Sequence, residues 1–352
     1  MYEYSHGGNA VYESDAIDVL DLSANINPLG PPENVKEAVV GEIVNCGRYP
    51  DSFSGELREK IAVHENVDPE WIVCGNGASD IVFRLPPAVR PKKTLVTAPA
   101  FSDYERAAVS FGSEMTRFVL SPSSGFEIGS GFADAVKKEK PGLVFICNPN
   151  NPTGRLTPAG LIKEILTLCR GSGVYMVVDE CFLDFTEEAK SYTAKGFLEK
   201  YPNLIVLKSF TKVFGLPGIR LGYALCSNKD FIGRILFHGA DWPVSNLAQA
   251  AGLAALEGAD EYLKKTVEYV SRERKTMETK LAGLGYKVFQ ATANYIFLQN
   301  PYKFDLRDEL DKKGIRIRSC GNYHGLDESY LRIAISTEEN NKRVLTEIEA
   351  IK

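Results

Sequence analysis

From about residue 45 to 240 the chain alternates short apolar runs rich in β-branched residues with longer amphipathic segments. That alternation predicts strands joined by crossover helices in a mostly parallel α/β sheet. Strands are expected at Trp71 to Cys74, Thr94 to Ala98, Leu143 to Cys147, Val174 to Asp179, Leu204 to Leu207 and Leu221 to Cys226. Their near-continuous hydrophobicity implies burial on both faces. Helices are expected at Gly55 to Glu65, Asp80 to Leu85, Tyr104 to Phe111, Pro158 to Arg170 and Tyr192 to Lys200. From Asn246 one long helical stretch runs to Leu284, apolar at Leu247, Ala251, Ala254 and Ala255 and again at Leu263, Val267 and Val270. Strand-like runs follow at Lys287 to Phe289, Tyr295 to Gln299, Ile315 to Arg318 and Tyr330 to Ile335, and an amphipathic helix closes the chain. The pattern divides the chain into an N-terminal segment (1–44), a large α/β domain (45–240) and a small α+β domain (241–352). The Pro-rich turn Asn27 to Pro32 and the stretch Gly239 to Pro243 serve as breaks.

Composition narrows the function. Over 352 residues, 44% hydrophobic and 25% charged content is ordinary for a globular protein, and a net charge of −5 supplies no basic field for a nucleic-acid backbone. The longest apolar runs, such as Val174 to Val178, fall far short of the roughly 20 residues of a membrane helix, so no membrane partner is expected. The N-terminal residues lack the pattern of a secretory signal, which places the protein in the cytoplasm as an expectation. Seven cysteines without C-x-x-C spacing read as buried thiols, and four scattered histidines predict no metal site.

Three segments carry chemistry. In Ser209-Phe210-Thr211-Lys212, directly after a buried strand, a lysine lies at the carboxyl edge of the sheet, where open α/β folds bind ligands. Two nearby hydroxyls and Arg220 would suit a phosphate-bearing aldehyde cofactor attached to that amine. In Asn148-Pro149-Asn150-Asn151-Pro152-Thr153-Gly154, the prolines hold Asn151 in a turn where its amide can donate to a phenolic oxygen. In Val177-Val178-Asp179-Glu180, a carboxylate ends the most apolar strand. Such a group needs a cation, and a protonated pyridine nitrogen would be one; a helix cap or a buried ion pair is the plainer alternative.

Together these segments resemble the fold-type-I pyridoxal-phosphate (PLP) enzymes, specifically the class I/II aminotransferase superfamily, along nearly the whole chain. The resemblance implies a large domain with a seven-stranded-type, mostly parallel sheet between helices, a small domain joined by the N-terminal segment, and pyridoxal 5'-phosphate as cofactor. It implies Lys212 as the lysine that carries the cofactor and moves the proton, Asp179 as partner of the ring nitrogen, and Asn151 as donor to the 3′-oxygen. Ser209, Thr211 and Arg220 would hold the phosphate, helped by Gly77, Ala78 and Ser79 at the opening of a helix. Phe101 would stack on the ring. Arg48-Tyr49-Pro50-Asp51 resembles the segment whose tyrosine reaches the cofactor phosphate of a neighbouring subunit, which implies a homodimer. Where many relatives have tyrosine three residues after the aspartate, this chain has Phe182, which leaves the 3′-oxygen to Asn151.

Two cationic strands bear on the substrate. Arg332 lies opposite Leu331, Ile333 and Ile335, and Arg316 and Arg318 share one side of Ile315 to Arg318. Two guanidinium sites suit a small phosphorylated, amino-acid-like substrate. This arrangement is similar to that of the histidinol-phosphate aminotransferases and the L-threonine-O-3-phosphate decarboxylases of cobalamin synthesis. The stretches His6-Gly7-Gly8-Asn9, Asp21 to Gly30 and Ile317 to Asp327 resemble the decarboxylases. That likeness implies His6, Gly7, Asn25, Asn151, Arg318 and Arg332 as substrate contacts and decarboxylation as the reaction, with amino-group transfer as the alternative.

Overall fold

The computed structural model describes residues 7–8 and 19–352. Its strands, in chain order, are β1 (Leu20–Asp21), β2 (Ile72–Asn76), β3 (Lys93–Ala98), β4 (Glu114–Val119), β5 (Leu143–Cys147), β6 (Tyr175–Asp179) and β7 (Leu204–Ser209). They continue as β8 (Leu221–Leu225), β9 (Lys287–Phe289), β10 (Tyr295–Gln299), β11 (Ile315–Arg316), β12 (Arg318–Ser319) and β13 (Tyr330–Ala334). Seven of them form one sheet in the order β2-β8-β7-β6-β5-β3-β4, parallel except where β8 runs against β2 and β7. Every residue of β5, β7 and β8 is buried. Alternate residues serve two apolar layers: Val144 and Ile146 of β5 face one, Phe145 and Cys147 the other. Helices must therefore cover both faces of this sheet.

A four-stranded antiparallel sheet, β12-β13-β10-β9, and the parallel pair β1-β11 form a second body around a third core that includes Leu22, Met277, Leu298, Ile333 and Val344. The N-terminal segment contributes Leu22 to that core and β1 to the two-stranded pair with β11. No helix among the described residues is long and apolar enough to cross a membrane.

Several elements differ from the sequence pattern. Strand β4 has no apolar run because it is the sheet's edge, and none of its six side chains is fully buried. No helix spans Tyr192 to Lys200. A short helical turn, Ala189–Tyr192, is followed by a single 3-10 turn at Lys195–Phe197. The buried Glu180 carboxylate accepts from the Thr193 hydroxyl (2.8 Å) and the Ala194 N–H (2.6 Å), and so draws the Ala194 N–H out of any helical ladder. The long C-terminal helix is interrupted into Asn246–Leu256 and Ala259–Gly283, with Gly258 between them at φ 73°. The run Ile315 to Arg318 divides into β11, paired with β1, and β12, paired with β13. The helix expected over Asp80 to Leu85 spans Ala78–Val89, with Pro86 and Pro87 inside its end. Helices Glu33–Glu42, Gly131–Glu139 and Lys229–Phe237 add to those read from the pattern.

Candidate active site

Strands β5, β6 and β7 run parallel, so the turns that leave their carboxyl ends lie side by side. Those turns carry Asn151, Asp179 and the pair Ser209 and Lys212 to the wall of one cavity. The opposite wall is built from the N-terminal segment (Gly7, Ser23 to Asn25) and the small sheet (Arg318, Arg332). The cavity is a seam between three parts of the chain, as ligand sites at sheet edges commonly are.

Lys212 lies in a single helical turn, Phe210–Val213, capped by the Ser209 hydroxyl, which accepts from Thr211 N–H at 3.2 Å. The Lys212 carbonyl accepts from Asn27 N–H (3.2 Å), and Asn27 Nδ2 donates to Val213 O (2.6 Å), so the N-terminal segment clamps the backbone of this turn. Burial lowers the Lys212 pKa, with Arg332 and Arg220 acting in the same direction against Cys181 and Asp179. A lysine so placed presents more of its neutral, nucleophilic amine near neutral pH.

Asp179 accepts from the Tyr104 hydroxyl at Oδ2 (2.5 Å) and from Cys181 N–H at Oδ1 (2.9 Å). The turn after β5 is held by its other asparagines. Asn148 Oδ1 accepts from Thr157 N–H (2.8 Å), Asn150 Nδ2 donates to Pro99 O (3.1 Å), and Tyr295 donates to Asn150 O (2.8 Å). Asn151 Oδ1 accepts from Arg332 Nη1, and since arginine can only donate, the Asn151 amide nitrogen is left for another acceptor. Arg332 also donates from Nη2 to Ser23 O (2.8 Å), while its buried Nε has no partner among the described residues. Asn25 Oδ1 is likewise buried without one.

An anion cradle occupies the far side. Gly77, at φ 81°, precedes the helix Ala78–Val89, and no side chain caps that helix. Its first N–H groups stay available at the positive end of the helix dipole. A Cβ on Gly77 would come within 2.6 Å of the Arg220 guanidinium, and one on Gly222 within 2.4 Å of Ala78 N, so the absence of side chains there permits the approach. The Ser209 and Thr211 hydroxyls lie 2.7 Å apart beside it.

The cavity thus gathers Gly7, Asn25, Ala78, Ser79, Phe101, Asn151, Asp179, Ser209, Thr211, Lys212, Arg220, Arg318 and Arg332, with Gly77 adjoining. Tyr49 lies elsewhere, 78% exposed and stacked on Trp242 at 4.3 Å. His6 falls outside the described residues. Arg316 leaves the side it was expected to share with Arg318: β11 turns away with β1, and Arg316 lies 3.5 Å from Asp311. Arg318 and Arg332, by contrast, are directly paired across β12 and β13.

A buried amine, an anion cradle and two neighbouring guanidinium groups equip the cavity for an anionic carbonyl cofactor and an anionic substrate. The sequence profile of the family described as aminotransferase class I and II matches residues 17–348. The chain belongs to that family. It is 32% identical to the threonine-phosphate decarboxylase of Salmonella typhimurium, across all of this chain and 97% of that protein. Among solved structures, the histidinol-phosphate aminotransferase of Clostridium acetobutylicum superposes with a TM-score of 0.87 at 29% identity, over 95% of this chain and 99% of that one. The L-threonine-O-3-phosphate decarboxylase of Porphyromonas gingivalis gives a TM-score of 0.82 at 26% identity, with the same coverage.

Within this aminotransferase-family frame, sequence reasoning missed Tyr104, the individual contacts of Ser23 and Asn27, and Tyr323, which lines the cavity with the Arg318 guanidinium 5.5 Å from its ring centroid. Tyr104 carried a usable signal: it follows Phe101 by three residues at the start of the helix Ser102–Ser110, one turn on and therefore on the same side. Asn27 and Ser23 lie in the stretch Asp21 to Gly30 that resembles the decarboxylases, but their individual contacts carried no signal, because each acts on a partner far away in sequence.

Proposed function

We propose that this chain is a PLP-dependent enzyme that decarboxylates L-threonine O-3-phosphate to (R)-1-aminopropan-2-yl phosphate, a step of cobalamin biosynthesis. The observation that carries the reading is the direct cross-strand pairing of Arg318 with Arg332 at the wall facing Lys212. Like charges directly opposite each other are unfavourable unless anions lie between them. A substrate with a carboxylate and a phosphate a few bonds apart supplies two. The full-length similarity to the Salmonella decarboxylase supports the same substrate.

The residues fit the cofactor on this structure's own terms. The cradle of Gly77, Ala78, Ser79, Ser209, Thr211 and Arg220 suits the cofactor's phosphate, and two buried atoms of the cavity's lining residues that have no partner among the described residues, Arg332 Nε and Asn25 Oδ1, can take a polar ligand. When bound, pyridoxal phosphate supplies an electron-withdrawing ring that stabilises charge left at Cα as a bond there breaks. Lys212 offers the amine that carries the cofactor and holds the proton exchanged at Cα. Asp179 would hold the proton of the ring nitrogen, Asn151 Nδ2 would donate to the 3′-oxygen and Phe101 would support the ring. Arg332 would bind the substrate carboxylate and so orient the bond at Cα that is to break. Arg318, with Gly7, Asn25 and His6, takes the substrate phosphate. Ser23 to Asn25 cover the cavity and exclude water.

The second reading, a histidinol-phosphate aminotransferase, is favoured by the Clostridium acetobutylicum fold match. Incubation with L-threonine O-3-phosphate and, separately, histidinol phosphate distinguishes the two. CO2 release without 2-oxoglutarate is the expected result, and obligatory amino transfer to 2-oxoglutarate refutes it. The same reading makes the protein a homodimer in which Tyr49 reaches the cofactor phosphate of the neighbouring subunit. It also keeps the division at residues 1–44, 45–240 and 241–352, with the first segment closing the site.

A further inference from the structure

We propose that Tyr104 is a positioning residue for the cofactor: its hydroxyl fixes the Asp179 carboxylate toward the ring nitrogen, and its ring seats Phe101. The inference rests on the PLP reading of the cavity and adds a residue to which that reading assigns no role.

Asp179 ends β6, and the last torsion of an aspartate is broad, so the backbone alone does not orient the carboxylate. Of its two donor residues among those described, Cys181 is two residues away, its N–H making the common local turn of an aspartate and its thiol standing beside the same carboxylate. The other, Tyr104, comes from the helix Ser102–Ser110 on the far side of β5, 75 residues earlier in the chain. Tyr104 is only 1% exposed. Burial, and then the neighbouring Asp179 charge, push its hydroxyl well above the usual phenol range, so it remains a donor at any working pH. Its ring lies parallel to Phe145 (centroids 4.8 Å, 12°) and meets Phe101 edge-on (5.6 Å, 77°). The side chain that orients the ring nitrogen's partner therefore also supports the aromatic face against which the ring would lie.

Packing alone does not ask for tyrosine here. A phenylalanine would keep both aromatic contacts and would avoid burying a hydroxyl in an apolar layer. What tyrosine adds is one directed hydrogen bond to a charged acceptor, the stronger class of such bonds.

The test compares wild type, Tyr104→Phe, Asp179→Asn and the double variant by PLP dissociation constant from equilibrium dialysis and by Tm with and without PLP. Tyr104→Phe is expected to leave the Tm of the PLP-free protein at the wild-type value and to raise the PLP dissociation constant roughly tenfold. The PLP-induced rise in Tm should shrink accordingly. In the Asp179→Asn background the same change should add nothing further, because the partner it orients is gone. A dissociation constant within about twofold of wild type, or a penalty that persists in full beside Asp179→Asn, overturns the proposal. So does a lower PLP-free Tm with unchanged PLP affinity, the mark of a purely structural role. If wild type takes up no PLP, the cavity reading falls and this inference with it; if wild type binds and Tyr104→Phe binds equally well, the inference alone falls.

Discussion

Arg332 is 5% exposed, yet among the described residues it finds only two acceptors, Asn151 Oδ1 and Ser23 O, neither of them charged. A buried guanidinium without a counter-ion is costly, and the cost is offset when an anion docks on the edge that carries Nε. Arg332→Ala should therefore raise KM for L-threonine O-3-phosphate roughly 10- to 100-fold, the worth of a charge-assisted bidentate contact. The PLP dissociation constant should move far less, since the cradle at Gly77 and Ser209 is untouched. Steady-state kinetics beside PLP titration checks the split, and equal losses in both would move Arg332 from substrate to cofactor. The asymmetry of what could be read beforehand also lies at this scale. Lys212, Asp179 and Asn151 follow directly on buried strands, so their place at the sheet edge is a local fact of sequence. Asn27 and Ser23 reach the site because the N-terminal segment folds back over it; the likeness of Asp21 to Gly30 pointed to that segment, but no local pattern announces which partners these two side chains meet.

Strand β7 and the helix Gly55–Glu65 are joined behind the site by buried charges. Glu65 accepts from Tyr223 of β8 (2.5 Å) and pairs with Lys195 (2.7 Å), while Lys208 of β7 pairs with Asp184 (2.9 Å) and lies 3.6 Å from Glu180. Burial pushes the Glu65 carboxyl up, but Lys208 and Lys195 outweigh it and hold its pKa at about 2. The unfolded chain regains the ordinary value, so Glu65 adds stability that is fully present above that value and is lost as pH falls toward about 2. Glu180 has the opposite sign, since burial raises it to about 7 despite Lys208, and its contribution fades as pH rises through that value. Comparing wild type with Glu65→Gln cancels the Glu180 effect. The variant should be less stable at neutral pH and lose less Tm between about pH 5 and pH 3. Parallel Tm curves would show that Glu65 carries no such linkage. These charges also explain where the sequence pattern misled. Glu180 captures donors at Thr193 and Ala194, and the amphipathic stretch from Tyr192 stays unwound although its apolar spacing is helical. Strands buried on both faces were legible because their apolar runs are nearly unbroken, whereas edge strand β4 and the split at Ile317 depend on neighbours that the sequence does not name.

At the scale of the molecule, the end of the helix Glu33–Glu42 and the turn that leads from it to the helix Gly55–Glu65 carry a run of exposed apolar side chains. Val40, Ile43, Val44, Tyr49 and Phe53 all face solvent in the single chain, with Val44 84% exposed. Trp242 joins them by stacking on Tyr49, and Asn246 ties the turn down by donating to Asn45 O (2.9 Å) and Arg48 O (3.3 Å). Contiguous apolar surface held in a fixed shape marks an interaction site rather than a solvated loop. In a homodimer this surface would be covered, and Tyr49, which does not line the cavity of Lys212 in its own chain, would be carried to the partner's cofactor phosphate. Val44→Glu tests the arrangement without disturbing the fold, because the side chain it replaces touches water. The expected result is a monomer by sedimentation, with weakened PLP affinity from the missing tyrosine. Tyr49→Phe should weaken PLP binding by less, while leaving the dimer intact. A wild-type protein that sediments as a monomer, or a Val44→Glu variant that remains dimeric with full PLP affinity, would place the interface elsewhere and remove Tyr49 from the site.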